Sequence, residues 1–374
     1  MEAPLRVMVV DDAVLYRRIV ADVLAGCEGI EVVGTAVNGR MALERLSTVP
    51  AECLVLDLNM PEMDGLAVLH EIRRRRLDVG AIMLSALTSE GAAETLAALE
   101  AGAFDFVLKP SGSNLQANRE VLQSELRAKL EAYRRRRSIQ RLLRQRAAGQ
   151  TPAATPPSTL AALGPGGRPA PRPGSRCEPV EVVAVGISTG GPPALAEMLP
   201  RLPGELRVPV LIVQHMPPVF TRSLADALDR RCTLSVREAG DGQPIGPGEV
   251  WIAPGGRQMR VARSGDRVVL QITDDPPENN CRPSVDYLFR SVAEVYGARA
   301  LGVIMTGMGS DGTAGCRALK QRGAWVVAQD AASCVVYGMP RGPIESGLAD
   351  VVAPLPRLAD EIVALVQRGG AGCR

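Results

Sequence analysis

Aromatic residues make up 3% of this chain, histidine occurs only twice, and neither sign of charge prevails. With 43 basic against 41 acidic residues, no global field draws the chain to nucleic acid or to an anionic membrane. No apolar run is long enough to span a bilayer, and Met1-Glu2-Ala3-Pro4 lacks the basic-then-apolar pattern of an export signal, so a cytoplasmic location is expected. The eight cysteines are scattered, with no Cys-x-x-Cys pair and no metal-like cluster. They read as reduced thiols used mostly in packing. What the chain does have is size: 374 residues, 46% of them hydrophobic, suffice for two domains with separate cores.

The first third alternates short apolar runs (5–10, 31–36, 53–56, 81–84, 106–108) with amphipathic helical stretches (13–25, 39–46, 65–75, 90–101). That alternation predicts an α/β domain with a doubly wound sheet of five parallel strands. A basic helical pattern follows over 114–146, densest at Arg134 to Arg137. With almost no aromatic residues there, it reads as a solvated helix leading out of the domain rather than a nucleic-acid contact. Residues 149–174, rich in Pro, Gly, Ala and Thr, read as a flexible linker. The expected division is a first domain over 1–125, helix and linker over 126–176, and a second domain over 177–374.

In the first domain the polar residues gather at strand ends. Asp11 and Asp12 follow the first strand, Asp57 the third, Ser85 the fourth and Lys109 the fifth. A doubly wound sheet brings such ends to one edge. Three converging carboxylates call for a cation, and hard oxygen ligands suit Mg²⁺.

The second domain opens on a buried strand and a glycine turn, Val182 to Gly191, with Ser188 at the turn in Gly186-x-Ser188-x-Gly190 spacing. Further strands are expected at 208–213, 300–305 and 325–329, with strand-like segments over 234–253 and 258–273. Helices are expected at 221–231, from the cap Ser284 to about 296, and at 313–322 and 357–368. The second domain is therefore α/β with a mainly parallel sheet. Ser188, His215 and Asp311 each follow a strand. A serine hydroxyl needs a base to become nucleophilic, and the base needs a carboxylate to fix its tautomer. His70 lies within a helix of the first domain, which leaves His215 as the base. The order Ser, His, Asp differs from the Ser, Asp, His of α/β-hydrolases. A competing pattern, Gly307-x-Gly309-x-x-Gly312 with Asp330 about 20 residues on, fits a dinucleotide fingerprint. Against it, Asp311 would put a carboxylate in the loop meant to cradle pyrophosphate.

Residues 1 to about 120 resemble the receiver domain of bacterial response regulators, through Asp11-Asp12, Asp57 to Gly65, Ser85-Ala86 and Lys109-Pro110. The resemblance implies phosphorylation of Asp57 by a histidine kinase and Mg²⁺ bound by Asp11, Asp12, Asp57 and the backbone carbonyl of Asn59. It also implies phosphate contacts from Ser85 and Lys109 and a switch residue at Phe106. The second domain resembles the CheB family of chemotaxis protein-glutamate methylesterases, through Gly186 to Gly191, Gln214-His215-Met216, Ala253-Pro254-Gly255 and Thr306 to Gly312. That resemblance implies a Ser188–His215–Asp311 triad with an oxyanion contact from the backbone of Met308, and no cofactor for catalysis. The implied activity is phosphorylation-controlled demethylation of glutamate γ-methyl esters, and deamidation of glutamines, on methyl-accepting receptors. The implied partners are a CheA-type kinase and those receptors, with no nucleic acid and no membrane span. The alternative is a phospho-switched protein that binds a dinucleotide or acts without catalysis; no helix-turn-helix pattern supports a transcription factor.

Overall fold

The computed structural model describes residues 3–148 and 178–371; the expected linker at 149–174 lies outside them. The N-terminal sheet contains β1 (Leu5–Val10), β2 (Ile30–Ala36), β3 (Cys53–Asp57), β4 (Gly80–Ser85) and β5 (Asp105–Leu108). Their order is β2-β1-β3-β4-β5, and each pairing is parallel. Every residue of β3 is buried, as suits a continuous apolar run covered on both faces. The covering helices are α1 (Val14–Ala25), α2 (Gly39–Arg45), α3 (Gly65–Arg74), α4 (Ser89–Glu100) and α5 (Leu115–Ala148). Asn38, Asp64 and Thr88 start α2, α3 and α4 by accepting a backbone N–H in the first turn.

Helix α5 departs from the solvated reading of its sequence. Leu122, Leu126 and Leu130, spaced four apart, are fully buried in the core of the first domain, each worth roughly 1.5–3 kcal/mol of burial. Tyr133 donates its hydroxyl to the Glu52 carbonyl at 3.0 Å. The basic run is spent on the same surface. Arg134 donates to the Gly29 carbonyl, Arg136 lies over the Phe104 ring, and Arg137 pairs with Asp78 at 2.9 Å. The helix crosses residue 125 unbroken and still contacts the receiver at Arg141, which pairs with Glu52. Charge counting missed this because the acceptors, Glu52 and Asp78, lie more than fifty residues away along the chain.

The second domain runs β6 (Val182–Ile187), α6 (Gly191–Met198), β7 (Val210–Gln214), α7 (Phe220–Asp229), β8 (Ser235–Glu238), β9 (Glu249–Ile252), β10 (Gln258–Ser264) and β11 (Arg267–Thr273). It continues through α8 (Val285–Tyr296), β12 (Ala300–Ile304), α9 (Thr313–Gln321), β13 (Trp325–Gln329), α10 (Arg341–Glu345), β14 (Val351–Ala353) and α11 (Leu355–Ala371). Seven strands form one sheet in the order β14-β13-β12-β6-β7-β9-β8, parallel at every pairing. β10 and β11 form a separate antiparallel hairpin that turns at Gly265. The 234–253 segment thus supplies two four-residue strands, β8 at the sheet edge and β9 beside it, and β14, three residues long, has too short a pattern to read. No helix among the described residues is long and apolar enough to cross a membrane.

The two domains meet face to face. Helix α4 of the first packs on α6 and α7 of the second. Phe106 stacks on Phe220 with centroids 4.8 Å apart and planes within 4°.

Candidate active site

Strands β12, β6 and β7 are adjacent in the sheet and end together. Ser188 follows β6, His215 follows β7, and Asp311 lies in the loop after β12. The chain runs outward from β6 in one direction through β7 and in the other through β12, so the three groups meet where the strand order reverses. The backbone ties the ends together: Ser188 N–H donates to the Thr306 carbonyl and His215 N–H to the Ile187 carbonyl. Gly186 must be glycine because a Cβ there would strike Val285, the first residue of α8. That contact brings the start of α8 against β6 and β12. Gly307 plays the same part beside the serine, since a Cβ would lie 2.8 Å from the Ser188 Cβ. The backbone of Met308 therefore runs next to Ser188, while the Met308 side chain is 38% exposed.

His215 Nε2 lies 2.8 Å from Asp311 Oδ2. Asp311 is nearly sealed and surrounded by donors. Its carboxylate accepts from the N–H groups of Val285, Asp286 and Gly312, from the Ser284 hydroxyl and from the Asn279 amide. Burial pushes this carboxyl up, but His215 and the backbone N–H groups outweigh it and hold it down at about 2. Burial likewise works against a charged His215, yet Asp311 and the Cys281 sulfur outweigh it, and the imidazole stands raised to about 9. The other ring nitrogen, Nδ1, has Cys281 Sγ at 3.7 Å.

Three of these neighbours carried no legible signal. Asn279 donates to both Asp311 and Asp286 from a left-handed backbone, φ 52°. Ser284 reads as a helix cap, which it is, but its hydroxyl also donates to the Asp311 carboxylate. Cys281, expected among packing thiols, instead groups with His215 and Asp311 within 4.8 Å. The dinucleotide reading loses its anion site, because Asp311 itself occupies the N–H groups that open α8 and the Gly312 N–H before α9. A larger cavity of about 1040 Å³ lies at the amino ends of the strands, lined by Val180, Leu206 and Arg299, and holds none of the candidate residues.

The cleft around Ser188 and His215 is walled on one side by the first domain, through Asp105, Phe106 and Lys129. Thr189, next to the serine, donates to Asp105 at 2.7 Å. Asp105 also pairs with Lys129 at 3.0 Å, and Arg231 with Glu100 at 2.8 Å.

At the first domain's own edge, Lys109 bridges Asp11 at 2.9 Å and Asp57 at 2.7 Å. Burial pushes the Asp57 carboxyl up, with Lys109 pulling the other way. Asp12 is exposed beside them, and Asp11, Asp12 and Asp57 offer oxygens within 4.8 Å of one another. An all-oxygen set with one lysine against three carboxylates fits a hard divalent cation. The Asn59 amide turns to Glu94 at 3.0 Å. Ser85 is buried, and its hydroxyl accepts from Thr95 at 2.7 Å.

Comparison with known proteins agrees with this geometry. Residues 183–362 match the family described as CheB methylesterase, and residues 7–119 match the response regulator receiver domain. A protein-glutamate methylesterase/protein-glutamine glutaminase of Desulfotalea psychrophila is 47% identical over 97% of this chain and 99% of its own length. One of the same description from Trichodesmium erythraeum is 42% identical over 96% of this chain and 98% of its own. The crystal structure of the Thermotoga maritima CheB methylesterase catalytic domain is 42% identical, covering 50% of this chain and 99% of that one, with a TM-score of 0.49. The likeness to these methylesterases runs along almost the whole chain, through a receiver domain followed by a methylesterase domain: the chain belongs to the CheB family of protein-glutamate methylesterases.

Proposed function

We propose that this chain is a phosphorylation-activated serine hydrolase that removes methyl groups from glutamate γ-methyl esters of methyl-accepting chemotaxis receptors and deamidates receptor glutamines. The observation that carries the reading is the His215–Asp311 pair at 2.8 Å beside Ser188 on adjacent strand ends. Because Nε2 faces Asp311, Nδ1 is the basic atom. Ser188 Oγ attacks the ester carbonyl and His215 Nδ1 takes its proton, then returns it to the departing methoxide as methanol. Water attacks the acyl-enzyme, His215 again holding the proton, and glutamate and free Ser188 result. A glutamine substrate differs only in losing ammonia. The Met308 N–H, beside Ser188, would donate to the oxyanion.

The receiver supplies control. Mg²⁺ held by Asp11, Asp12, Asp57 and the Asn59 carbonyl would neutralise the phosphoryl oxygens as a CheA-type histidine kinase transfers them to Asp57. Ser85 and Lys109 then turn to the new phosphate. Ser85 leaves Thr95 to do so, and Thr95 stands on α4, the helix packed against α6 and α7. Loss of that hydrogen bond loosens the face that carries Phe106 and Asp105, and the cleft opens.

The test is methanol release from methylated receptor membranes. Wild-type protein with a phosphodonor and Mg²⁺ should release it, and Ser188→Ala should not. Equal release by both proteins overturns the serine mechanism.

A further inference from the structure

Cys281 has no part in the ester chemistry, yet its sulfur faces the ring nitrogen that chemistry uses. Sγ lies 3.7 Å from His215 Nδ1, while Nε2 of the same ring is engaged with Asp311 at 2.8 Å. Both residues line the cleft that holds Ser188. Metal-ligating histidines donate their second ring N–H to a carboxylate, which fixes the tautomer and strengthens the ligand. Asp311 does this here, so the tautomer that makes Nδ1 a base also makes it a ligand. In a tetrahedral zinc site with Zn–N of about 2.0–2.1 Å and Zn–S of about 2.3 Å, nitrogen and sulfur stand roughly 3.6 Å apart. The observed separation matches that spacing.

We propose that Cys281 and His215 form an inhibitory Zn²⁺ site inside the catalytic cleft, with water completing the coordination. Binding to the imidazolium form releases two protons to solvent, one from His215 Nδ1 as the Zn–N bond forms and one from the Cys281 thiol as the Zn–S bond forms. Zinc on Nδ1 takes the lone pair that would accept the Ser188 proton, so the esterase stops. The inhibitory half rests on the reading of His215 as the base; the binding half does not. Donor chemistry separates this site from the receiver's. Thiolate and imidazole select zinc, whereas Asp11, Asp12 and Asp57 offer only hard oxygen and select Mg²⁺.

The experiment uses the full chain in saturating Mg²⁺, so that the receiver carboxylates are occupied. Co²⁺ is titrated first, as a spectroscopic stand-in that gives a thiolate-to-metal charge-transfer band. Zn²⁺ should then displace it, and methanol release should fall with zinc occupancy and return on chelation. Cys281→Ala and Cys281→Ser should both lose the band. Each should need more than about tenfold more Zn²⁺ for half-inhibition, relative to its own metal-free rate, and Asp311→Asn should weaken Co²⁺ binding by about 10–100-fold. An unchanged band in the Cys281 variants, or no band in wild type, overturns the site. A band that depends on Cys281, with esterase untouched at full occupancy, overturns the inhibitory role and the assignment of His215 as base, while methanol release lost in Ser188→Ala would still uphold a serine enzyme.

Discussion

The receiver and the catalytic domain each gather polar groups at the carboxyl edge of a parallel sheet, but they balance the charge differently. At the receiver edge Asp11 and Asp57 are buried against a single cation, Lys109, and the Asp57 carboxyl is held above its ordinary value. At the catalytic edge one carboxylate, Asp311, accepts from five donors besides His215 and is held down at about 2. The first arrangement is left short of positive charge, so a cation and a phosphoryl group can change it. The second is satisfied in advance, so it holds its geometry through turnover. One edge is built to switch and the other to stay still, and the Phe106–Phe220 and Thr189–Asp105 contacts join them.

The sharpest way to break the fixed edge is to remove its working atoms. Ser188→Ala or His215→Ala should lower turnover by roughly 10⁴–10⁶, because such groups act as a unit. Methanol release measures the loss, and an unchanged far-ultraviolet circular dichroism spectrum shows that the fold persists. Asp311→Asn should cost roughly 10⁴ and also move the pH profile. A general base works only when unprotonated, so with His215 in the proposed role kcat/KM of the wild type should climb with pH toward the raised value of about 9. Removing the Asp311 charge removes what holds the proton on the ring, so the rising limb should shift to lower pH on a lower plateau. A limb that stays in place would mean that Asp311 does not set the imidazole's charge.

The switching edge should respond through regulation. Asp57→Asn should abolish the rise in rate that a phosphodonor and Mg²⁺ produce, since an amide replaces the proposed phosphoryl acceptor. The joint itself should give smaller effects. A stacked aromatic pair is worth about 0.5–1.5 kcal/mol beyond its burial, so Phe220→Ala should raise the unphosphorylated rate by about 2–10-fold. Residues 178–374 alone should exceed the unphosphorylated full chain by more. If neither is faster, the receiver does not close the cleft and activation must come from positive contacts. Smallest should be Thr95→Val, which removes the hydrogen bond to Ser85 while leaving every proposed site residue in place: basal rate should rise slightly and the phosphodonor's further effect should shrink.

Much of this was legible in the chain because strands and their ends are local. The run 53–57 has no polar residue until Asp57, so strand, burial and strand-end carboxylate come from one stretch. The same holds for Ser188 after 182–187 and His215 after 210–214. The 114–146 helix was legible as a helix and not as a docked one, because its partners, Glu52 and Asp78, sit more than fifty residues away. Asn279 and Cys281 left no trace at all: a polar loop residue and an isolated thiol look alike wherever the loop goes.

The sequence by itself determined two parallel α/β domains, the residues at their strand ends and the chemistry those residues permit, since hydrophobic period and residue type are properties of short segments. Only the tertiary structure decided which ring nitrogen of His215 faces Asp311, that a thiol sits on the other, and that the Asp105–Phe106 face roofs the serine. Those facts depend on contacts between residues distant in the chain, where a shift of an ångström separates a hydrogen bond from none.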